Sequence, residues 1–385
     1  MIDRNSDPRL GLSEAATYWT GFVGEHYLGL PYFGKLRKHV EKGLLRRGLP
    51  EMETVQIPRI DPRETTPEQI RRDYVQGYIP FVLKGVAAGW PAIRKWTPEF
   101  FASNYGADKI CVRVKSAGVG AESVYTRDVT VTELVDNIRN DGEYYANNLE
   151  DLFNNHPELR NDLLLREVEA YSCADPPKFA PGEKKGWRLP KWGEILSTQI
   201  FISNANGRTG YHCAAGGNFF LQVHGRKKWV FVNPRHSPFM YPVIRKDFFY
   251  SCSAVDFRMG RDEQLKEGFG LYNLIPKYEV VLEPGDVLYS PQWWWHTIDN
   301  LGMSIGVAMR FRTGAFAGNP VYSTMTGLSP NLLKHLSRVF RTGWGSDTTA
   351  ARTIFEPEGS DVKVPLPPSK TVPLKSEAAA GRRSS

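Results

Sequence analysis

The strongest constraint on this chain is the punctuation of its second half. From Thr198 onward, short segments with strand-like patterning follow one another closely: Gln199 to Ser203, Phe219 to His224, Lys228 to Val232, Tyr278 to Leu282, Val287 to Ser290 and Ser304 to Phe311. Gly225-Arg226 reads as a tight hairpin and Glu283-Pro284-Gly285-Asp286 as a turn. Many short strands joined by Gly and Pro turns predict a closed or nearly closed antiparallel β architecture. The stretch from about His236 to Lys277 is too long for a plain connection, which predicts a lid or substrate loop.

The first half mixes helix and strand signals. Tyr18, Trp19, Phe22, Val23 and Tyr27 recur at helical spacing, giving an aromatic stripe that packs onto the main domain or, alternatively, faces lipid or a partner. An extended segment at Gln56 to Pro62 leads to a helix start, where Thr66 caps, Pro67 takes the first position and Gln69 completes a capping box. Ile79 to Leu83 reads as a strand, Thr97-Pro98 as a second helix start, and Ile110 to Val114 as an alternating strand. Beyond the last strand, Asn331 to Phe340 gathers Leu332, Leu333, Leu336, Val339 and Phe340 on one helical face, suited to packing on the barrel or to a homodimer contact. From Glu356 the mixture of Pro, Ser, Lys and Ala predicts a disordered tail. The expected organisation is an N-terminal helical segment (1–55), a central β domain (56–315), a helical extension (316–355) and the tail (356–385).

Composition narrows the setting. At 385 residues and 41% hydrophobic, the chain is long enough for one large core or two ordinary ones, so a soluble globular protein is expected. The net charge of +7 is dispersed, and the one basic cluster, Lys35, Arg37, Lys38, Lys42, Arg46 and Arg47, is interrupted by Glu41. That reads as a solvated helix face, and no nucleic-acid partner is expected. Cys111, Cys173, Cys213 and Cys252 form no C-x-x-C pair, which predicts neither a structural zinc site nor a disulfide framework. With a polar N-terminus and no run of about 20 apolar residues, the expected location is a reducing compartment, the cytoplasm, with the nucleus left open.

The chemistry-bearing phrases are Thr209-Gly210-Tyr211-His212-Cys213-Ala214, Asn218 to Lys227, and Pro284 to Pro291 leading to Trp294-Trp295-His296. With Phe81 to Val86, Gly89-Trp90-Pro91 and Lys95-Trp96-Thr97, they give residues from about Ile57 to Phe311 a resemblance to the JmjC-like cupin hydroxylases, most closely the asparaginyl hydroxylase that inhibits hypoxia-inducible factor. The resemblance implies a mainly β fold, a double-stranded β-helix (cupin, or jelly-roll) with surrounding helices, that binds Fe(II) and 2-oxoglutarate. His212 and His296 match the iron-binding histidines, and Lys227 matches the lysine that pairs with the far carboxylate of 2-oxoglutarate. Thr209 and Tyr145 fall where the family supplies hydroxyls to that carboxylate, although a turn threonine and a core tyrosine are equally ordinary readings. Asn218 matches a pocket amide, while Ala308 replaces the second pocket asparagine. Strand parity puts Arg310 on the face of Ala308, either at the pocket mouth holding an anion or in a surface ion pair.

Where the family's H-x-D triplet carries its carboxylate, this chain has Ala214. Non-haem iron sites of this type hold the metal with two histidines and one carboxylate. Three arrangements compete. In one, a halide takes the vacant position, as the resemblance to iron-dependent halogenases with alanine or glycine there implies, with Arg310 retaining the anion and the substrate radical collecting halogen. In another, water fills the position and hydroxylation continues. In the third, metal chemistry is lost and the barrel is a binding module. Cys213 is a soft donor beside His212, but adjacent strand residues point to opposite faces. The substrate stays open between a protein side chain and a small apolar metabolite.

Overall fold

The computed structural model describes residues 10–48, 52–115, 124–176, 191–244, 250–311, 313 and 319–328. Its early strands are β1 (Thr54–Gln56), β2 (Arg59–Ile60), β3 (Phe81–Leu83), β4 (Lys109–Lys115), β5 (Val124–Thr130) and β6 (Tyr144–Leu149). Then come β7 (Ile195–Ser203), β8 (Arg208–Ala214), β9 (Gly217–His224), β10 (Lys227–Val232), β11 (Pro242–Ile244) and β12 (Tyr250–Ser253). The last are β13 (Lys277–Leu282), β14 (Val287–Ser290), β15 (Trp295–Asn300) and β16 (Ser304–Phe311). Two antiparallel four-stranded layers, β13-β10-β15-β8 and β14-β9-β16-β7, face each other as a jelly-roll: strands alternate between the layers from β7 to β10 and again from β13 to β16, while β10 to β13 stay in the first. β1 and β12-β11 extend the first sheet; β3-β2 and β6-β4-β5 extend the second.

Period-two alternation decides what lies between the layers. Phe220, Trp229, Phe231 and Leu288 turn inward and share an interior cluster with Ala308. Their neighbours Phe219, Leu221, Val307 and Met309 turn outward, where Trp96, between two helices, and Phe101 and Leu134, each on a helix, cover them. On the first sheet, Tyr211, Cys213, Val230 and Val232 face outward against Tyr18, Phe22 and Tyr322. The aromatic stripe therefore packs on the barrel: Tyr18 and Phe22, on the helix Leu12–His26, are fully buried, and Trp19 meets Tyr322 edge-on at 5.7 Å. Burying one such ring contributes roughly 1.5–3 kcal/mol. Within the basic helix Gly34–Leu45, Arg37 pairs with Glu25 at 3.0 Å.

Local signals have the expected causes. The Gln69 N–H donates to Thr66 Oγ1, and the Phe100 N–H to Thr97 Oγ1. Past Ile70 the first of these helices widens into a π turn at Arg71–Val75. Gly225 closes the β9–β10 hairpin at φ 65°, where a Cβ would lie 2.0 Å from the Met303 carbonyl oxygen, so a side chain is excluded there.

Two expectations need correction. The described residues of the His236–Lys277 stretch form no lid over the barrel: they add β12 and β11 to the edge of β8 and bury Phe239, Met240 and Leu271 in the outer cluster. None of them lines the cavity. The expected strands also lacked β8 and β15, whose inward faces mix Thr209, His212 and His296 with Ala214 and Ile298 and leave no clean alternation of apolar side chains. The Asn331–Phe340 helix and the tail from Glu356 lie outside the described residues; a shorter helix, Pro320–Gly327, follows the barrel.

Candidate functional site

β8 and β15 are neighbours in register, so His212 and His296 stand directly opposite each other, with ring centroids 4.2 Å apart. Each Nδ1–H donates to the backbone carbonyl two residues earlier, His212 to Gly210 at 3.0 Å and His296 to Trp294 at 2.9 Å. Those bonds select the tautomer that carries its basic lone pair on Nε2, the form in which a histidine binds metal. Burial holds both rings neutral, pushing the His296 pKa down to about 4 and that of His212 well below its ordinary value; the neighbouring His296 and then Arg310 add to the effect at His212. Trp229 stacks on His296 at 5.5 Å.

Ala214 ends β8 two residues beyond His212, on the same face, and its methyl lines the cavity. Its backbone is held on two sides, by the ladder to Tyr250 and by the Trp293 N–H, which donates to the Ala214 carbonyl at 2.9 Å. Among the described residues no group of three His, Cys, Asp or Glu side chains is placed to hold a metal. Cys213 points outward into the packed cluster, where burial raises its thiol pKa. The donor set thus fits a metal through two imidazoles, with the remaining positions left to small ligands.

Lys227 opens β10, lines the cavity and has no exposed surface. Its Nζ donates to Asn300 Oδ1, which also accepts from the Ser304 hydroxyl. Burial alone pulls the ammonium pKa down to about 7, and among the described ion pairs none supplies Lys227 with a carboxylate. A buried cation held by a neutral amide suits an anionic ligand. Nearby, Tyr145 on β6 and Thr209 on β8 share a hydrogen bond at 3.2 Å between their hydroxyls. Asn218 opens toward the cavity from β9, and its buried Oδ1 has no partner. On β16, Arg310 donates from Nε to Gln199 Oε1 at 2.8 Å and from Nη2 to Asn148 Oδ1 at 3.0 Å.

One cavity is lined by all the residues singled out from the sequence: His212, His296 and Ala214, with Lys227, Thr209, Tyr145, Asn218 and Arg310. Arg113 on β4 also lines it and was not anticipated. A charged residue within the Ile110-Cys111-Val112-Arg113-Val114 alternation was the available signal, since it marks a strand face turned toward something polar. Asn300, the amide that carries Lys227, sits at a strand end before a turn and leaves no distinguishing local pattern.

Relatives fall in the same class of protein. The chain is 26% identical over 275 residues to tRNA wybutosine-synthesizing protein 5 of Gallus gallus, covering 67% of this chain and 77% of the relative. It is 27% identical over 248 residues to lysine-specific demethylase 8 of Xenopus tropicalis, covering 63% and 50%. JmjC domain-containing protein D of Dictyostelium discoideum is 24% identical, with coverage of 65% and 55%. The chain therefore spans about half the length of the last two. A family model described as a cupin-like domain matches residues 67–314, a span that holds the whole jelly-roll and its cavity. This chain belongs to the cupin-like domain family.

Proposed function

We propose that this protein is an Fe(II)- and 2-oxoglutarate-dependent oxygenase acting on an unactivated C–H bond. The observation that carries the reading is the pairing of a buried, carboxylate-free ammonium at Lys227 with two neutral imidazoles further along the same cavity. His212 and His296 would hold the metal; Lys227, Thr209 and Tyr145 would take the far carboxylate of 2-oxoglutarate. Iron and 2-oxoglutarate, when bound, would let dioxygen serve as the oxidant of the C–H bond, with 2-oxoglutarate oxidised to succinate and carbon dioxide alongside it. The chain's own part is positioning: the Gly210 and Trp294 carbonyls fix the imidazoles, Asn300 aims the ammonium, and Phe220 and Trp229 wall the cavity against water. The kinship with a lysine demethylase and a tRNA-modifying protein supports oxygenase chemistry, with the substrate a protein side chain, as in the asparaginyl hydroxylase likeness, an RNA, or a small metabolite.

A second reading, transfer of halide in place of hydroxyl, is favoured by Ala214, whose methyl replaces a monoanionic ligand beside the imidazole pair. One titration separates the readings. Anaerobic Fe(II) and 2-oxoglutarate are added with and without chloride while visible absorption is followed. A charge-transfer band is expected; a band that shifts with chloride supports halide transfer, and an unshifted one supports hydroxylation. No band from a protein that circular dichroism shows to be folded would leave the barrel as a binding module.

A further inference from the structure

The aromatic stripe of the N-terminal helix packs against the barrel, but the turn that follows it faces solvent. Helices Leu12–His26 and Gly34–Leu45 form a hairpin whose tip presents Leu28, Leu30 and Tyr32 at 59%, 46% and 72% exposure. Single exposed leucines are ordinary; this cluster sits together on one short turn. The turn is fixed rather than loose. The Leu28 N–H donates to the Val23 carbonyl at 3.1 Å, that of Leu30 to Gly24 at 2.9 Å, and that of Phe33 to Leu30 at 3.1 Å. Gly29, at φ 67°, supplies the left-handed backbone that reverses the chain between the two leucines. Phe33 folds back on Gly24, where a Cβ would come within 2.4 Å of its ring, so the apolar side chains on either side of Gly29 are left pointing away from the hairpin core.

The second helix carries charge of one sign. At about 100° per residue, Lys35, Lys38, Lys42 and Arg46 share its solvent face, and all are exposed. The carboxylates of the first helix are engaged elsewhere, Glu14 by Arg47 and Glu25 by Arg37, and no described ion pair includes those four cations. Glu41, the one acid between Tyr27 and Gly48, is turned partly inward, where burial raises its pKa against the pull of Arg37. Lys35 Nζ stands over the Tyr32 ring at 4.6 Å, which makes the apolar tip and the basic face one continuous surface. Leucine and tyrosine side chains beside a basic face complement an anionic lipid surface, entering the headgroup region while the cations lie against the phosphates. A second copy of this chain fits less well, because a two-fold contact through this face sets like charges together. RNA would engage the cations and could stack on Tyr32, but gives the two leucines nothing to bury against.

We propose that the N-terminal helical hairpin docks this protein on anionic lipid bilayers, with Leu28, Leu30 and Tyr32 entering the interface and Lys35, Lys38, Lys42 and Arg46 facing the headgroups. This docking does not depend on the chemistry in the cavity. Full-length protein is cosedimented with vesicles of phosphatidylcholine alone, and of phosphatidylcholine and phosphatidylserine in equal parts, at low and high salt. Binding to the mixed vesicles is expected, with much weaker binding to phosphatidylcholine alone and a loss in high salt. Lys35→Gln and Lys42→Gln should each weaken it by about fivefold, the scale of one cation at an anionic surface. Leu28→Asn combined with Leu30→Asn should weaken it by about tenfold or more. Lys84, exposed just past β3 in the other sheet, is the control; Lys84→Gln removes the same charge and should change binding by less than about twofold. Every substituted position is exposed, and circular dichroism checks that each variant is folded. The proposal is overturned if the mixed vesicles do not pellet the wild-type protein, if phosphatidylcholine alone binds it equally well, or if Lys84→Gln weakens binding as much as Lys42→Gln. It is also overturned if the leucine pair has no effect while a short RNA duplex competes with vesicles through the same lysines, a result that would assign the face to nucleic acid.

Discussion

The two faces of β8 obey opposite rules. Outward, Tyr211 and Cys213 are buried among aromatic rings from the N-terminal helix and from Trp293, Trp295 and Tyr322. Inward, Thr209, His212 and Ala214 face a cavity lined by cations and amides. The outer face is where stability resides; the inner face accepts a buried ammonium and an orphaned amide oxygen, both of which cost stability in the empty barrel. One strand thus separates a packing surface from a binding surface by a single residue step.

Substitutions on the two faces should have opposite signatures. Phe22→Ala removes a fully buried ring from the outer face; the expected loss is about 3–5 kcal/mol in chemical denaturation, with 2-oxoglutarate affinity per folded molecule unchanged. If affinity falls with stability, the two faces are not separable. Lys227→Met should do the reverse, weakening 2-oxoglutarate by about 10–100-fold in calorimetry while leaving the denaturation midpoint level or higher, since a buried charge is removed.

A pH profile sharpens the same contrast. Lys227 has a folded pKa of about 7, lowered from 10.5 by burial. Between those values the unfolded chain binds the proton and the folded chain does not, so this group makes stability rise with pH across that window and contributes no slope below it. Lys227→Met should flatten that rise, measured as denaturation midpoint against pH. In the wild type, 2-oxoglutarate affinity should fall as pH climbs above about 7, where the ammonium loses its proton. The smallest effect is expected from Tyr145→Phe, which deletes one hydroxyl from the Thr209 pair; a loss of about 1 kcal/mol, or roughly fivefold in affinity, is the scale of a neutral hydrogen bond.

Legibility in the sequence followed the same division. Strands with one apolar face, such as β9, β10 and β16, declare themselves by alternation, and the capped helix starts at Thr66 and Thr97 by their turn chemistry. β8 and β15 do not, because the face that carries His212, Thr209 and His296 is partly polar for chemical reasons, and only the motif phrases located them. The reach of Arg113 into the cavity and the support of Lys227 by Asn300 are tertiary facts, set by strands far apart in the chain. The described part of the His236–Lys277 stretch joins the edge and outer face of the first sheet, which length alone does not foretell.

The main chain at Ala214 is held by Tyr250 on one side and by the amide of Trp293 on the other, the latter a residue at φ 62°. What distinguishes this chain from a barrel with a complete ligand triplet is therefore one side chain on an otherwise anchored frame. Ala214→Asp is expected to tighten Fe(II) binding without remodelling the hairpin. If the proposed chemistry holds, reaction outcome in such a barrel is a property that a single substitution can exchange, while the fold, the buried Lys227 and the imidazole pair stay as they are.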